Sequence, residues 1–111
     1  MITIESLKAY GADAEEGLAR CLNKEDFYLK MVNLGLADER FENLAGICAS
    51  KDLDAAFDAV HALKGIIKNL ALTPLYEPIN KMTELLRSRT DTDYGDLCAQ
   101  IKAEHDKILS L

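Results

Sequence analysis

Between Leu53 and Leu70 the apolar side chains Leu53, Ala56, Val60, Leu63, Ile67 and Leu70 recur at alternating intervals of three and four. On a helix of 3.6 residues per turn this spacing draws one narrow apolar seam, whereas a strand would scatter the same residues over both faces. A seam of this kind must be buried against partners, and the chain supplies partners of the same period. Leu75, Ile79, Met82, Leu85 and Leu86 form one, and Leu97, Cys98, Ile101 and Ile108 another. Strand-like alternation is almost absent. The expected fold is all-α, an antiparallel four-helix bundle with short N-terminal helical additions.

Boundaries follow from local chemistry. Ile4, Leu7 and Tyr10 mark a short opening helix that ends at Gly11. Asp13 followed by Glu16 has the spacing of a capping box, starting a helix that carries Leu18, Cys21 and Leu22. Asn23 is the expected cap of the next helix, whose recurring apolar residues are Phe27, Met31 and Leu34, with Gly35 ending or bending it. Phe41, Leu44, Ile47 and Cys48 form a further set that runs to Ser50. Thr73-Pro74 has the form of an N-cap with proline in the first turn. Pro78 would remove a backbone bond from a continuing helix, which moves the expected start toward Glu77. Thr90 to Gly95 reads as a polar turn before the last helix.

Without linkers or repeats, residues 1–111 are expected to form one domain around one core. The formal net charge of −6 repels nucleic-acid phosphates and anionic membrane surfaces, so neither is an expected partner. No stretch has the length and apolarity of a membrane span. Met1-Ile2-Thr3-Ile4-Glu5 lacks the basic region and apolar run of a signal peptide, and a cytoplasmic location is expected. Cys21, Cys48 and Cys98 are odd in number and include no C-x-x-C pair. They are expected to be free, mostly buried thiols, forming neither a disulfide framework nor a zinc site.

The chemistry concentrates on the central helix. His61 points roughly 130° away from the centre of the apolar seam. Gly65, one turn on, points almost directly outward. Glycine inside a helix costs about 1 kcal/mol relative to alanine, so it needs a reason, and a clearing for a visiting partner is one. Asp54, Asp58, Lys64 and Lys68 share this outer side, with Phe57 at its flank. Imidazole titrates near pH ~6.5 in model peptides, which makes its neutral form available as a nitrogen nucleophile. If His61 accepts a phosphoryl group, Lys64 neutralises the phosphoryl oxygens and Lys68 assists. Asp58 then orients the ring through its other nitrogen, and Phe57 offers an apolar contact. A lone surface histidine or lysine reads equally as a solvated helix face. The combination H-x-L-K-G on the polar face of a helix is far more specific than any of its parts.

The run His61-Ala62-Leu63-Lys64-Gly65-Ile66-Ile67-Lys68-Asn69-Leu70 resembles the signature of histidine-containing phosphotransfer (Hpt) domains of multistep two-component signalling. That signature is H-x-L-K-G, then small residues, a Ser or Asn, an apolar residue and usually glycine. Asp54, Ala55, Ala56 and Ala59 before it, and Leu72-Thr73-Pro74-Leu75 after it, also match, so the likeness spans residues 52–87. It implies a four-helix bundle with an exposed phosphorylatable histidine, carried here to His61. It also implies phosphoryl stabilisation by Lys64 and access for a receiver domain over Gly65. Ile66, Ile67 and Lys68 depart from the small residues of the signature, and Ala71 stands where glycine is usual. Ile67 fits the core seam, so its bulk repacks the bundle, while Lys68 either aids phosphate binding or hinders a partner.

The implied function is reversible relay of a phosphoryl group between receiver-domain aspartates and His61. The alternative is a non-phosphorylated Hpt-like helical adaptor that binds receivers or a kinase. Response-regulator receiver domains are the expected partners, and a hybrid histidine kinase is a further candidate. Magnesium is expected on the receiver, and no cofactor or metal on this chain. Gly11, Gly17, Gly35, Gly46, Gly65 and Gly95 are isolated and form no phosphate loop, so the protein is expected to be a phosphorelay intermediate without kinase activity. Asp91, Asp93 and Gly95 evoke a calcium loop, but Asp96 and Lys102 stand where its glycine and closing glutamate belong. His105 has no Lys-Gly after it and is expected on the surface of the last helix.

Overall fold

The computed structural model describes residues 1–111 and contains seven helices: α1 Ile4–Tyr10, α2 Ala14–Arg20, α3 Glu25–Leu36, α4 Arg40–Ala49, α5 Leu53–Asn69, α6 Thr73–Arg87 and α7 Gly95–Leu109. The last four close into a ring of neighbours, α4 on α5, α5 on α6, α6 on α7 and α7 back on α4. Short connections make them run up and down in turn, which is the antiparallel four-helix bundle expected from the seam. None of the helices is long and apolar enough to cross a membrane.

Helix α5 starts where Asp52 accepts a hydrogen bond from the Ala55 N–H at 3.1 Å. Its seam enters the core: Ala56, Val60, Leu63, Ile67 and Leu70 are buried, against Leu75, Ile79, Met82 and Leu86 of α6. Helix α6 begins at Thr73 and runs straight through Pro78, which is itself buried. The later start near Glu77 does not occur. The reason is one of magnitude. A helix proline costs about 3 kcal/mol, whereas unwinding the first turn would surrender the burial of Leu72 and Leu75, roughly 1.5–3 kcal/mol each.

The N-terminal helices close one end of the bundle. Thr3 and Ser6 cap α1 reciprocally, and Gly11 ends it in the left-handed conformation at φ 111°. Asp13 caps α2 through the Glu16 N–H at 3.2 Å. That helix stops at Arg20, so Cys21 and Leu22 lie beyond it. Lys24, not Asn23, occupies the N-cap of α3, and Asn23 instead takes φ 58° in the preceding turn. Gly35 neither ends nor interrupts α3; it lets the helix approach Leu70, whose Cδ1 would lie 2.7 Å from an added Cβ.

Helix α3 also turns the opposite face inward from the one its sequence suggests. Tyr28, Val32 and Leu36 are buried, whereas Phe27, Met31 and Leu34 are 47%, 36% and 57% exposed. Both sets satisfy helical spacing, and tertiary contacts choose between them. The Tyr28 hydroxyl donates to the Leu70 carbonyl at 2.8 Å, and its ring passes over Gly17, where a Cβ would come within 2.5 Å of it. The Asp13 N–H donates to the Ala71 carbonyl at 2.9 Å, and Arg20 donates to the Lys68 carbonyl at 3.2 Å and the Asn69 side chain at 3.3 Å. Carbonyls that a helix C-terminus leaves without intrahelical partners are thus satisfied from α2, α3 and the turn between α1 and α2.

Two further expectations are corrected. Cys48 of α4 and Cys98 of α7 form a disulfide, and only Cys21 is a free, buried thiol. Fifty residues separate the pair, so no local motif announces it; the packing of α4 on α7 creates it. His105 is half-buried rather than on the surface. Its ring stacks on Phe41 at 4.1 Å, and Nε2 lies 2.7 Å from the Leu36 carbonyl oxygen.

Two measurements test this packing. Ala71 sits at φ 58° in the α5–α6 turn, a conformation that disfavours any residue with a Cβ. Ala71→Gly is expected to raise the unfolding free energy by roughly 0.5–1 kcal/mol in urea melts, since glycine adopts this conformation without strain. Burial, with the nearby Cys21 and Asp13 charges adding, pushes the Tyr28 phenol up to about 12. The unfolded phenol loses its proton near ~10, so the associated stability is full below pH ~10 and is lost as pH rises to about 12. Tyr28→Phe should cost about 1 kcal/mol or more at pH 7, by orphaning the Leu70 carbonyl, and should shallow the alkaline fall.

Candidate functional site

Helix α5 carries His61 on its water-facing side, where the residue is exposed. Phe57, one turn earlier, is half-buried against the core edge. The i, i+4 spacing puts the two rings on one face, with centroids 5.3 Å apart and planes 26° from parallel. The imidazole is therefore supported on one side by a ring that the core holds. Neither of its nitrogens is hydrogen-bonded within the chain; Asp58 is exposed and does not reach the ring.

Lys64 lies one turn beyond His61. Its Nζ is 3.3 Å from Oε1 of Glu84 on α6, and the lysine side chain is only 22% exposed against 52% for the glutamate. The other oxygen of the same carboxylate, Oε2, lies 3.6 Å from Nε of Arg87. The Arg87 guanidinium in turn sits 5.4 Å from the centre of the Phe57 ring, within cation–π range. Two cations from two helices thus flank the Phe57–His61 stack, bridged by one carboxylate.

Gly65 is exposed, and a Cβ built on it would meet nothing within 4 Å. The helix cost of this glycine is not offset by any close approach inside the molecule. Lys68 stands a further turn on, exposed and without an ion pair, and its carbonyl receives Arg20. Asp54 pairs with Arg89 at 2.6 Å, away from His61. Of the sequence-derived residues, the fold gathers Phe57, His61, Lys64 and Gly65 into one strip. It leaves Asp58 and Lys68 at the strip's edges.

A family model described as the Hpt domain matches residues 34–110. This chain belongs to the Hpt domain family. No curated protein and no solved structure matches it. The family consists of helical bundles that transfer phosphoryl groups through histidine in phosphorelay signalling, as carriers rather than kinases. The match begins near the end of α3, so the helices that seal the α5–α6 turn of this Hpt domain lie largely outside it.

Sequence reasoning missed Glu84 and Arg87. Nothing in their spacing along the chain relates them to His61, yet a usable signal existed. A tight antiparallel turn centred near Ala71 pairs each position of α5 with one on α6 about equally far from the turn. That register sets Phe57 near Arg87, but not Lys64 with Glu84, which lies about twice as far from Ala71; that pair meets only through the reach of its two long side chains.

The Hpt domain contains a second helix glycine, Gly46 in α4, whose Cβ would also meet nothing within 4 Å. Gly46→Ala and Gly65→Ala are each expected to raise the unfolding free energy by up to about 1 kcal/mol in urea melts. A loss of stability at position 65 would show that the glycine serves the chain's own packing.

Proposed function

We propose that this Hpt domain relays phosphoryl groups between receiver-domain aspartates and His61. The observation that carries the reading is an exposed histidine with a lysine one turn away, beside a glycine the fold does not need, on a chain of this family. A partner approaching over Gly65 meets bare backbone, which allows a phosphorylated aspartate to come within reach of the imidazole. The unpaired ring nitrogens leave His61 free to present a lone pair in line with the scissile bond.

The chemistry balances without a co-reactant. A neutral imidazole nitrogen attacks phosphorus, the N–P bond forms, and the P–O bond to the receiver carboxylate breaks with its electron pair remaining on that oxygen. The ring keeps its N–H proton and becomes a phosphoimidazolium. The reverse reaction returns the group to a second aspartate. Phosphoryl transfer of this kind depends on positioning and charge neutralisation rather than on covalent chemistry from the scaffold. Lys64 supplies positive charge from this chain, and magnesium belongs to the receiver's acidic pocket. His61 is the phosphoacceptor, Lys64 stabilises the phosphoryl oxygens, Gly65 gives access, and Phe57 fixes the ring.

Receiver domains charged with acetyl phosphate provide the test. Mixing them with the protein should yield an acid-labile, base-stable phosphate that is absent from His61→Gln, whose melting should be nearly unchanged. Label that persists in His61→Gln would overturn the assignment. Lys64→Ala is expected to slow transfer by roughly tenfold or more while leaving it measurable. Gly65→Leu should weaken receiver binding, read by titration calorimetry, by much more than it changes stability.

A further inference from the structure

The carboxylate of Glu84 raises a question that the relay reading leaves open. A phosphoacceptor site benefits from free positive charge, yet here one negative side chain engages both nearby cations, with one oxygen on Lys64 and the other on Arg87. Lys64 is largely shielded and fixed in place, whereas Glu84 and Arg87 are about half exposed. Glu84 is the partner that is free to swing into water.

We propose that Glu84 is a counter-ion latch for the phosphoryl site, a positioning residue that holds Lys64 and Arg87 in the unphosphorylated protein and is displaced by the phosphoryl group. This rests on the assignment of His61 as phosphoacceptor. A phosphoryl group on His61 brings two negative charges beside cations already paired to a carboxylate. Lys64 exchanges one anion for another, and Glu84, now next to a like charge, turns outward. Arg87 follows the same exchange from above the Phe57 ring, one stacking contact from the imidazole. The latch has two effects. In the resting state it holds Lys64 one turn from His61 and Arg87 beside the Phe57 ring on which the imidazole stacks. In the phosphorylated state its charge raises the energy of phosphohistidine, which keeps the group ready to move on.

Glu84→Gln keeps the shape and removes the charge, and Glu84→Asp keeps the charge. Potassium phosphoramidate, a small phosphodonor, allows labelling without choosing a partner. The 31P signal of phosphohistidine then reports formation and decay in the intact protein. At low salt Glu84→Gln is expected to lengthen the lifetime of the phosphohistidine and raise its steady-state level about two- to fivefold, the range of a single exposed ion pair. The gain should shrink as salt approaches 1 M, where charges are screened beyond ~3 Å. Glu84→Asp should stay near the native level, and Glu84→Gln should have no effect in a Lys64→Ala, Arg87→Ala background. Equal lifetimes for the native protein and Glu84→Gln at low salt would overturn the latch while leaving the relay standing. A gain that persists unchanged at high salt, accompanied by a shifted melting temperature, would also overturn it, by showing a structural role. No label on His61 in any variant would overturn both the relay and the latch.

Discussion

Packing of α5 on α6 is the contact on which the rest of this molecule depends. Leu63, Ile67 and Leu70 face Leu75, Ile79 and Met82 across a turn only three residues long, and all of them are buried. At roughly 1.5–3 kcal/mol for each large side chain, this interface outweighs the local penalties it imposes, a proline inside α6 and a non-glycine residue in left-handed backbone. The same interface fixes register. Once Ile67 and Leu75 are inside, Phe57 and Arg87 come level at the edge of the core, and Lys64 and Glu84 on the outer side lie within reach of one another. The polar strip around His61 is therefore a by-product of core packing, held to the precision of the core.

That strip lies open to water, and in the proposed relay this shapes what the protein contributes to the chemistry. Exposed ion pairs are weak and screened by salt, so little of the driving force for phosphoryl transfer is stored in the resting domain. The bundle offers placement: a ring supported by Phe57, a lysine shielded enough to stay put, and a clearing at Gly65. An enzyme that activates its own substrate encloses it. A carrier that must give its cargo back gains from an open site, because the exchange requires another protein's active centre to reach the same atoms.

The region before the matched segment has a defined physical task. Asp13, Arg20 and Tyr28 meet the carbonyls of Ala71, Lys68 and Leu70, the last acceptors of α5 and its turn. Carbonyls left without donors at a helix end are costly when buried; those of Leu70 and Ala71 take their donors from α3 and the α1–α2 turn, while the exposed Lys68 carbonyl also accepts from the Ala71 N–H at 3.0 Å. The N-terminal helices do this while leaving Phe27, Met31 and Leu34 facing outward. At the other end of the chain's packing, the Cys48–Cys98 disulfide ties α4 to α7.

Helical period, helix count and the identity of the central strip were legible in the sequence, because each depends on residues within a turn or two of one another. The spacing of Leu53 to Leu70 dictates a seam, a seam dictates the opposite face, and that face holds His61, Lys64 and Gly65 whatever the seam packs against. Asp52, Asp13 and Gly11 act as local punctuation for the same reason. Which stripe of α3 turns inward, whether α6 survives Pro78, which cysteines meet, and which side chains of α6 stand over His61 were decided only by tertiary structure. Each of these is settled by competition between partners far apart in the chain. Tyr28 prevails over Phe27 because Gly17 and the Leu70 carbonyl receive it, and Arg87 joins the site because the core sets the register. Local patterns bound such choices, and only the summed burial of distant side chains selects among them.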